Sequence, residues 1–553
     1  MSGKLRGADV VARALAAAGV RRVFGLSGNH VMSVFDAALD AQVDLVHVRH
    51  EAAAVHMADA WGRLTGEVGV ALVTGGPGHA NAVPALYTAA ASESPVVLLS
   101  GHAPLDELGR GAFQEMRQAD IAAPLAKASW TAASARTLGE ELWRALRTAR
   151  SGRPGPVHLS LPTDVLDATV AERDAALLDP RSIDAPATVL APATVAAVLG
   201  ELRRAARPVA LVGPALLRGK AREYARAFES VTGVPVIGMD SPRGLSEPAL
   251  GAFAEMLAQA DLVLLLGKAL DYTLAYGGAP TIASSCRFVQ IDPDAANVGR
   301  ARRSAGDRMI VAAVADPGPA AASLAEQAAR LGWSKNGWFA EVRAAIDHRP
   351  DAWATLASPR EGPAHPVEVC RGVSALLGRD PNAVFVSDGG EFGQWAQACL
   401  DAPHRITNGP AGAIGAAVPF AVAARLALPA APIVAMSGDG AFGFHMAEID
   451  TAVRYRLPFV AVVGNDAAWN AERQIQIRTY GAERARNCEL LATRYDRVVA
   501  ALGGHGEYVE RASDLPGALE RAVRSGRPAC VNVAIDRLAA PNLTRVRREP
   551  MED

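Results

Sequence analysis

The chain has 553 residues, too many for one ordinary hydrophobic core, and its length favours about three domains of roughly 150–200 residues each. Half of the residues are hydrophobic and 21% are charged, which is typical of a globular protein and excludes a disordered chain. The formal net charge is −2 and no long basic stripe occurs, so we expect no nucleic-acid partner.

The N-terminus is not typical of a targeting segment. Residues 1–20, MSGKLRGADVVARALAAAGV, begin with polar residues and continue as an amphipathic helical pattern, without the apolar stretch and cleavage site of a signal peptide. No apolar run of about 18 residues follows, so we expect no membrane span and a cytoplasmic protein. The five cysteines form no CxxC pair, so we expect core thiols rather than a zinc site or a disulfide framework.

Apolar, strand-like runs alternate with longer helical patterns from the start of the chain. The first block reads VRRVFGL, VMSVFDAALDA, VDLVHV, EAAAVHMADAWGRLTG and VGVALVTGG. This alternation predicts parallel strands joined by crossover helices, and it recurs three times along the chain. We therefore predict an α/β protein with three doubly wound parallel-sheet domains.

Two stretches rich in Pro separate the three blocks. Residues 178–193, LDPRSIDAPATVLAPA, and residues 348–366, HRPDAWATLASPREGPAHP, are typical of exposed linkers. The third block contains the apolar runs NAVFVSDGG, PIVAMSGDG and LPFVAVVGND, each of which ends in Gly or Asp. Because ligands of doubly wound sheets bind at the carboxyl ends of the strands, we expect the active site at the ends of these three runs.

The strongest local motif is Gly-Asp-Gly at residues 438–440, directly after an apolar run. A helical stretch and a second apolar run lead from it to Gly-Asn-Asp at residues 464–466. A strand–helix–strand unit brings its two strand ends together, so Asp439 and Asp466 can share one Mg²⁺ beside a diphosphate. The alternative is that each motif is only a tight turn.

These motifs, together with the intervening helix that carries Glu448, resemble the cofactor site of thiamine-diphosphate enzymes. The resemblance implies thiamine diphosphate and Mg²⁺, with the metal held by the side chains of Asp439 and Asp466 and the main-chain carbonyl of Ala468. The family usually has Asn at the position of Asp466. The additional negative charge beside the diphosphate should change the affinity for both the metal and the cofactor.

Glu51 lies between a strand and a helix in RHEAAAVHMADAWGRLTG, which with ALVTGGPGHANAV resembles the pyrimidine-binding domain of the same family. In isolation, a carboxylate here could simply stabilise the N-terminus of the helix through the helix dipole. The resemblance implies that Glu51 hydrogen-bonds the pyrimidine and promotes formation of the thiazolium ylide, which later yields an enamine.

A further match is NGPAGAIG at residues 408–415, where the resemblance makes Ile414 the wedge that bends the cofactor and the Gly412 carbonyl an acceptor for its amino group. On its own, such a glycine pattern is common in turns. The cofactor-binding positions that the resemblance implies are Gly76, Pro77, Asn81, Gly389, Gly390, Gly412, Ile414, Gly438, Gly440, Ala441 and Trp469.

Substrate choice depends on the residues near the thiazolium. GAFQEM at residues 111–116 is similar to 2-hydroxyacyl-CoA lyase, oxalyl-CoA decarboxylase and acetolactate synthase, whereas FGLSGNHVMSVF is more similar to benzaldehyde lyase. We expect His30 and Gln114 to position and protonate the substrate oxygen, with a capping or core role as the alternative for each. The residues expected to shape the substrate pocket are Asn29, Phe113, Asn408 and Trp469.

The resemblance spans nearly the whole chain. It implies a pyrimidine-binding domain at residues 1–170, a central Rossmann-like domain at 185–335, a diphosphate- and Mg²⁺-binding domain at 363–540 and a tail at 541–553. It also implies active sites between subunits, with a homodimer as the smallest working unit and a homotetramer common among relatives.

Several points stay open in the sequence. FAD or an adenine nucleotide in the central domain is not supported, because the GxRFD-like run of flavin-containing acetolactate synthases is missing. The tail, LTRVRREP, has three arginines that could contact a CoA phosphate or could simply be solvated. We expect a lyase or carboligase acting on a 2-oxo acid, a 2-hydroxy ketone or a 2-hydroxyacyl-CoA. The alternatives are an acetolactate synthase, a 2-oxo-acid decarboxylase and a non-catalytic binding protein on the same scaffold.

Overall fold

A computed structural model of the chain describes residues 3–175, 186–333, 336–359, 361–378 and 380–545. Within these ranges every cysteine is free of disulfide bonds. No helix among them is both long enough and apolar enough to cross a membrane.

The first part of the chain folds around a six-stranded parallel sheet. Its elements are β1 (Lys4–Arg6), α1 (Gly7–Ala17), β2 (Arg22–Gly25), α2 (Met32–Asp40), β3 (Asp44–His47), α3 (Glu51–Thr65), β4 (Gly69–Val73), α4 (Pro77–Ala91), β5 (Val96–His102), α5 (Gln118–Ala122), β6 (Ala128–Thr131), α6 (Leu138–Arg150), β7 (Pro156–Pro162), α7 (Thr163–Asp167) and β8 (Thr169–Ala171). The strand order is β3-β2-β4-β5-β7-β6, and β1 pairs separately with β8 in an antiparallel ladder. The central strands β4 and β5 are buried along their whole length, and β4 and the first four residues of β5 are apolar, as expected of parallel strands covered by helices on both faces.

The middle part has a five-stranded parallel sheet. Its elements are α8 (Pro192–Arg204), β9 (Pro208–Val212), α9 (Gly219–Thr232), β10 (Val236–Gly238), α10 (Phe253–Leu257), β11 (Leu262–Leu266), β12 (Arg287–Asp292), α11 (Ala295–Ala305), β13 (Met309–Val314), α12 (Pro317–Leu331) and α13 (Trp338–Ile346). The strand order is β10-β9-β11-β12-β13.

The last part has a second six-stranded parallel sheet. Its elements are α14 (Pro366–Leu377), β14 (Val384–Ser387), α15 (Gly390–Cys399), β15 (His404–Thr407), α16 (Ala417–Ala427), β16 (Ile433–Gly438), α17 (Asp439–His445), α18 (Glu448–Arg454), β17 (Val460–Asn465), α19 (Asn470–Tyr480), α20 (Tyr495–Ala501), β18 (His505–Val509), α21 (Leu515–Arg524) and β19 (Ala529–Ala534). The strand order is β15-β14-β16-β17-β19-β18. The prediction of three parallel α/β sheets is therefore confirmed.

The two six-stranded sheets have the same topology. In each, the chain forms an inner strand, adds the next strand on one side, and then crosses to the other side for the strands that follow. The winding direction reverses between β2 and β4 and again between β14 and β16. Such reversals leave a crevice at the carboxyl ends of the two strands, where α/β proteins bind their ligands.

The first and third sheets are held together by a shared hydrophobic core. Helix α3 is buried along most of its length and packs against α16. Within this interface the Arg63 guanidinium forms a buried ion pair with Asp59 and donates to the carbonyl of Thr407 at 2.7 Å. The charge is therefore paired inside the core, where an unpaired charge would be strongly destabilising.

One sequence expectation differs in detail from the structure. The helical stretch predicted after the Gly-Asp-Gly motif, residues 444–456, is two helices, because α17 already begins at Asp439 and α18 begins at Glu448. The first predicted linker, 178–193, lies partly outside the described residues. The second, 348–366, contains a short 3₁₀ turn at Asp351–Ala354.

Candidate active site

One cavity lies at the winding reversal of the third sheet, at the carboxyl ends of β14, β16 and β17. Its wall contains all the diphosphate, metal and wedge positions that were predicted in the last part of the chain. These residues are Gly389, Gly390, Asn408, Gly412, Ile414, Gly438, Asp439, Gly440, Ala441, Asp466, Ala468 and Trp469. Side chains and glycines from four separate loops thus meet at one place.

The two aspartates are neighbours because their strands are neighbours. Strands β16 and β17 pair in parallel, with Gly438 beside Gly464, and each aspartate follows directly after its strand. Burial raises the pKa of Asp439 to about 6, and burial together with the charge of Asp439 raises the pKa of Asp466 to about 7. Asp439 Oδ2 is buried and accepts no hydrogen bond from a described residue. A buried carboxyl, Asp439, beside the half-buried carboxyl of Asp466 favours a cation between them.

The loop after β17 is held by an arginine from the end of the chain. Arg537 donates from Nε to the carbonyl of Asp466 at 2.6 Å and from Nη2 to the carbonyl of Ala467 at 2.9 Å. Ala467 has φ of 52°, an uncommon conformation for a residue other than glycine. Arg537 therefore fixes the turn that directs Asp466 into the cavity, and no local sequence signal pointed to it.

Two glycines of the cavity are required by close packing. A Cβ at Gly389 would lie 2.6 Å from Ile414 Cγ2 and 2.9 Å from Asn408 Nδ2, and a Cβ at Gly440 would lie 2.5 Å from the Trp469 ring. At Gly438, by contrast, a Cβ would meet nothing within 4 Å. The cavity wall is thus tightly packed at two glycines and open at a third, which leaves backbone groups accessible to a ligand.

Asp388 connects the end of β14 to the predicted wedge loop. It is 1% exposed and accepts hydrogen bonds from the backbone N–H groups of Gly389 (2.8 Å), Gly415 (2.9 Å) and Ala417 (3.1 Å). These bonds hold the segment that contains Ile414 against the strand end. Sequence reasoning had noted the Ser-Asp-Gly-Gly run but had given Asp388 no role.

Glu51 is the first residue of α3 and is 8% exposed. Its Oε2 accepts a hydrogen bond from Asn81 Nδ2 at 3.1 Å. Gly78 lies beside it, where a Cβ would come within 3.3 Å of Oε1. The structure therefore brings two of the predicted residues, Glu51 and Asn81, into direct contact.

His30 lies in a short 3₁₀ turn after β2, at the winding reversal of the first sheet. Its ring stacks on Phe113 with centroids 5.8 Å apart, and its Nδ1 is 3.2 Å from Thr74 Oγ1. Burial lowers the pKa of His30, so the imidazole is neutral near pH 7. Gly101 makes room for it, because a Cβ there would lie 2.5 Å from His30 Cβ.

Gln114 packs against Gly76, where a Cβ would lie 2.7 Å from Gln114 Cβ. A second glutamine, Gln118, was missed by sequence reasoning and hydrogen-bonds the loop that contains Gly76. Gln118 is 1% exposed, accepts from Gly76 N at 2.8 Å and donates to the carbonyl of Gly101 and to Ser160 Oγ, both at 3.0 Å. A buried amide whose hydrogen bonds are satisfied in this way makes the loop rigid.

The predicted site residues thus form two groups within one chain. The wall of the cavity at the third sheet contains no residue from 3–175, so His30, Glu51 and Gln114 are not part of it. Asn29, Pro77 and Asn81 are exposed in the first group.

Comparison with known proteins covers the segments in which both groups lie. Family models for thiamine pyrophosphate enzymes match the N-terminal TPP binding domain at residues 5–121, the central domain at 195–324 and the C-terminal TPP binding domain at 388–533. An acetolactate synthase large subunit of Mycobacterium tuberculosis is 34% identical, over 95% of each chain. The chain belongs to the thiamine pyrophosphate enzyme family.

Other relatives of this thiamine pyrophosphate enzyme are named for different reactions. 2-Hydroxyacyl-CoA lyase 2 of Homo sapiens is 30% identical over 96% of the present chain and 90% of its own length. Oxalyl-CoA decarboxylase of Escherichia coli is 29% identical over 96% and 95%, respectively. The prediction of a thiamine-diphosphate enzyme of the lyase and transferase type is thereby confirmed, and the prediction of its substrate is not tested.

The cavity at the third sheet fits the diphosphate and metal of this cofactor. The described residues contain no cluster of three His, Cys, Asp or Glu side chains suited to a metal, so a bound cation would depend on Asp439, Asp466, main-chain oxygen and the diphosphate itself. The buried, unpartnered Oδ2 of Asp439 is the atom that such a cation would satisfy.

The middle sheet does not fit an adenine nucleotide equally well. In Rossmann folds an acidic residue at a strand end binds the ribose. Here Asp292, at the end of β12, is fully buried and already accepts from Arg153 at 2.6 Å. Arg153 also forms an ion pair with Glu93 and donates to the carbonyl of Gly267 at 3.1 Å. The first part of the chain thus supplies the partner of Asp292 at the carboxyl end of β12.

Proposed function

We propose that the chain is a Mg²⁺- and thiamine-diphosphate-dependent lyase or carboligase that breaks or makes a carbon–carbon bond next to a carbonyl. The observation that carries the proposal is the pair of carboxyls, buried Asp439 and half-buried Asp466, in one cavity with the glycines and Ile414. The proposed substrate is a 2-oxo acid, a 2-hydroxy ketone or a 2-hydroxyacyl-CoA.

In this proposal the cavity residues hold the cofactor. Asp439, Asp466 and the carbonyl of Ala468 would bind Mg²⁺, Gly438 and Gly390 would present their backbone to the diphosphate, and Ile414 would support the cofactor. When bound, thiamine diphosphate supplies a nucleophilic carbon that adds to a carbonyl and then accepts the electron pair of the broken C–C bond.

The site residues in the first part of the chain hold and transfer protons in this proposal. Glu51 shares a proton with the pyrimidine ring, and Asn81 holds Oε2 of Glu51 so that the carboxylate keeps its orientation. His30 is buried and neutral, so it can accept or pass a proton at the substrate oxygen. Gln114 orients that oxygen, and Asn29, Phe113 and Asn408 shape the pocket around it.

We further propose that a second copy of the chain completes each active site, in a homodimer or a homotetramer. What supports this is the separation of Glu51 from the wall of the Asp439 cavity within one chain. Mixing the inactive Glu51→Gln and Asp439→Asn variants tests it. If sites form between chains, a mixed dimer contains one intact site and regains activity. If Glu51 and Asp439 of the same chain form the site, every mixture stays inactive.

A substrate panel tests the reaction. Calorimetry with Mg²⁺ and thiamine diphosphate should detect binding, and the loaded enzyme should then convert at least one of the 2-oxo acids, aldehydes or 2-hydroxyacyl-CoA thioesters in the panel. Absence of cofactor binding would refute the proposal.

Acetolactate synthase is the second candidate, favoured by the 34% identity to a relative of that name. It requires that two molecules of pyruvate give acetolactate and CO₂. Acid treatment of the product followed by a colour test for acetoin separates it from a lyase, and a simple 2-oxo-acid decarboxylase would release only the aldehyde.

A further inference from the structure

The middle sheet contributes one loop to the cofactor cavity. This loop follows β10, and its residues Ser241, Pro242 and Arg243, together with the nearby Glu247, line the cavity along with the diphosphate glycines. The Arg243 side chain is exposed to the cleft. The cationic side chain of Arg243, which comes from the middle part of the chain, thus lies beside the proposed cofactor site.

The loop is held in one conformation. Its own hydrogen bonds run from Arg243 N to Ser241 Oγ at 3.2 Å and from Ser246 N to the carbonyl of Arg243 at 3.0 Å. Tyr272 donates its hydroxyl to the carbonyl of Pro242 at 3.1 Å. Because the backbone is fixed, little conformational entropy remains to be lost when the Arg243 side chain binds a ligand.

Arg243 has no partner of its own among the described residues. Neither a hydrogen bond nor an ion pair joins its guanidinium to any of them, and the carboxylates of Glu391 and Glu247 act on it only through space. Both carboxylates are engaged elsewhere. Glu247 pairs with Arg405 at 3.2 Å, and Glu391 accepts from Ala540 N at 2.8 Å.

The cleft continues outward past Arg243. The cofactor cavity has a volume of about 240 Å³, and an outer cavity of about 630 Å³ shares Arg243 and Glu247 with it. Residues 542–544 also line the outer cavity. Arg243 therefore lies where the two cavities adjoin.

We infer that Arg243 binds an oxyanion of the substrate and makes the enzyme selective for anionic substrates. A guanidinium presents two parallel N–H donors that match the oxygens of a carboxylate or a phosphate. The oxyanion is the carboxylate of a 2-oxo acid or a phosphate of a CoA thioester. The inference rests on the proposed function and names its substrate class.

Steady-state kinetics with Mg²⁺- and thiamine-diphosphate-loaded enzyme test the inference. The variants are Arg243→Gln, Arg243→Lys and, as a matched control, the nearby exposed Arg478→Gln. The substrates are pyruvate, neutral acetoin, lactoyl-CoA and lactoyl-pantetheine, the last of which lacks the phosphates. For Arg243→Gln we expect KM for the anionic substrate to rise about tenfold to a hundredfold, at least tenfold more than for the neutral substrate. Arg243→Lys should lie between, and Arg478→Gln should match the wild type.

The substrate pairs identify the source of the oxyanion. A selective loss on pyruvate assigns a carboxylate, and a selective loss on lactoyl-CoA relative to lactoyl-pantetheine assigns a phosphate. Equal losses on charged and neutral substrates, or no loss on either, would overturn the inference.

A binding experiment keeps this test separate from that of the proposed function. Calorimetry measures the binding of oxamate, a non-reacting analogue of pyruvate, and of free coenzyme A to the loaded protein. We expect Arg243→Gln to weaken one of them at least tenfold while its affinity for thiamine diphosphate stays that of the wild type. If the enzyme converts no substrate, the proposed function fails, but the binding experiment still tests the oxyanion site. If Arg243→Gln binds both oxamate and coenzyme A with wild-type affinity, the oxyanion site is refuted.

Discussion

Asn81 donates a hydrogen bond to Glu51 over 3.1 Å and so joins the start of α4 to the start of α3. The bond occupies Oε2, while Oε1 faces the space that Gly78 leaves free. One oxygen of the carboxylate is therefore positioned by the protein, and the other is available to a ligand.

The Glu51→Gln variant should bind thiamine diphosphate but activate it poorly. An amide has the size of the carboxylate and cannot share a proton in the same way. We expect the C2 proton of the bound thiazolium to exchange about 10²–10⁴ times more slowly, the usual size of a general acid–base contribution. Hydrogen–deuterium exchange followed by NMR measures this rate. Exchange at the wild-type rate would contradict the role of Glu51, and Asn81→Ala should show a smaller decrease.

The second prediction concerns Glu448, which accepts hydrogen bonds from the backbone N–H groups of Arg49 at 3.0 Å and His50 at 3.1 Å. Glu448→Ala leaves these donors without their partner, and each such loss costs about 1–3 kcal/mol. We expect a lower urea midpoint and slower activation of the cofactor, because Glu51 follows directly in the chain. Asp450→Ala, in the same helix, is the control and should cost about 0.5 kcal/mol or less. Equal urea midpoints for the two variants would exclude the proposal that Glu448 stabilises the backbone before Glu51.

The third prediction concerns the charge of the metal site. Asp466→Asn removes one of two neighbouring carboxyls and keeps an oxygen ligand, whereas Asp439→Asn removes the carboxylate whose Oδ2 lacks a partner. Because affinity for hard cations depends on the charge of the ligands, we expect Asp466→Asn to weaken Mg²⁺ binding about tenfold and Asp439→Asn to weaken it further. Calorimetric titration with Mg²⁺ at saturating thiamine diphosphate measures both. Unchanged Mg²⁺ affinity in both variants would place the metal elsewhere.

The fourth prediction is a pH dependence that follows from His30. Burial lowers the pKa of His30, and nearby His102 acts in the same direction. The neutral imidazole that a proton relay requires is therefore present at pH 7 and is lost as the pH falls through this lowered value, below about 6.5. We expect kcat to fall on the acid side in the wild type, and His30→Gln to show a kcat about a hundredfold lower without that acid limb. His47→Gln, which has no proposed role, should keep the wild-type profile. An acid limb that persists in His30→Gln would assign the titration to another group.

Much of the fold could be predicted from the sequence because its signals are local. Buried parallel strands are continuous apolar runs, and crossover helices are amphipathic, so three alternating blocks indicate three doubly wound sheets. The Gly-Asp-Gly and Gly-Asn-Asp motifs are equally local, since a strand–helix–strand unit places its two strand ends side by side whatever the rest of the chain does. Asp439 and Asp466 could therefore be paired without coordinates.

The tertiary structure alone decided the contacts between residues that are far apart in the chain. Examples are the hydrogen bonds that Glu448 accepts from the backbone before Glu51 and those that Arg537 donates to the Asp466 loop. The placement of Arg243 in the cofactor cavity is another. Each depends on how whole elements pack, and a single arginine or glutamate has no periodicity that would reveal its partner. The sequence by itself thus determined the three sheets and the motifs of the cofactor site. Packing decided which distant side chains hold those motifs in place and which cationic side chain lines the cavity beside them.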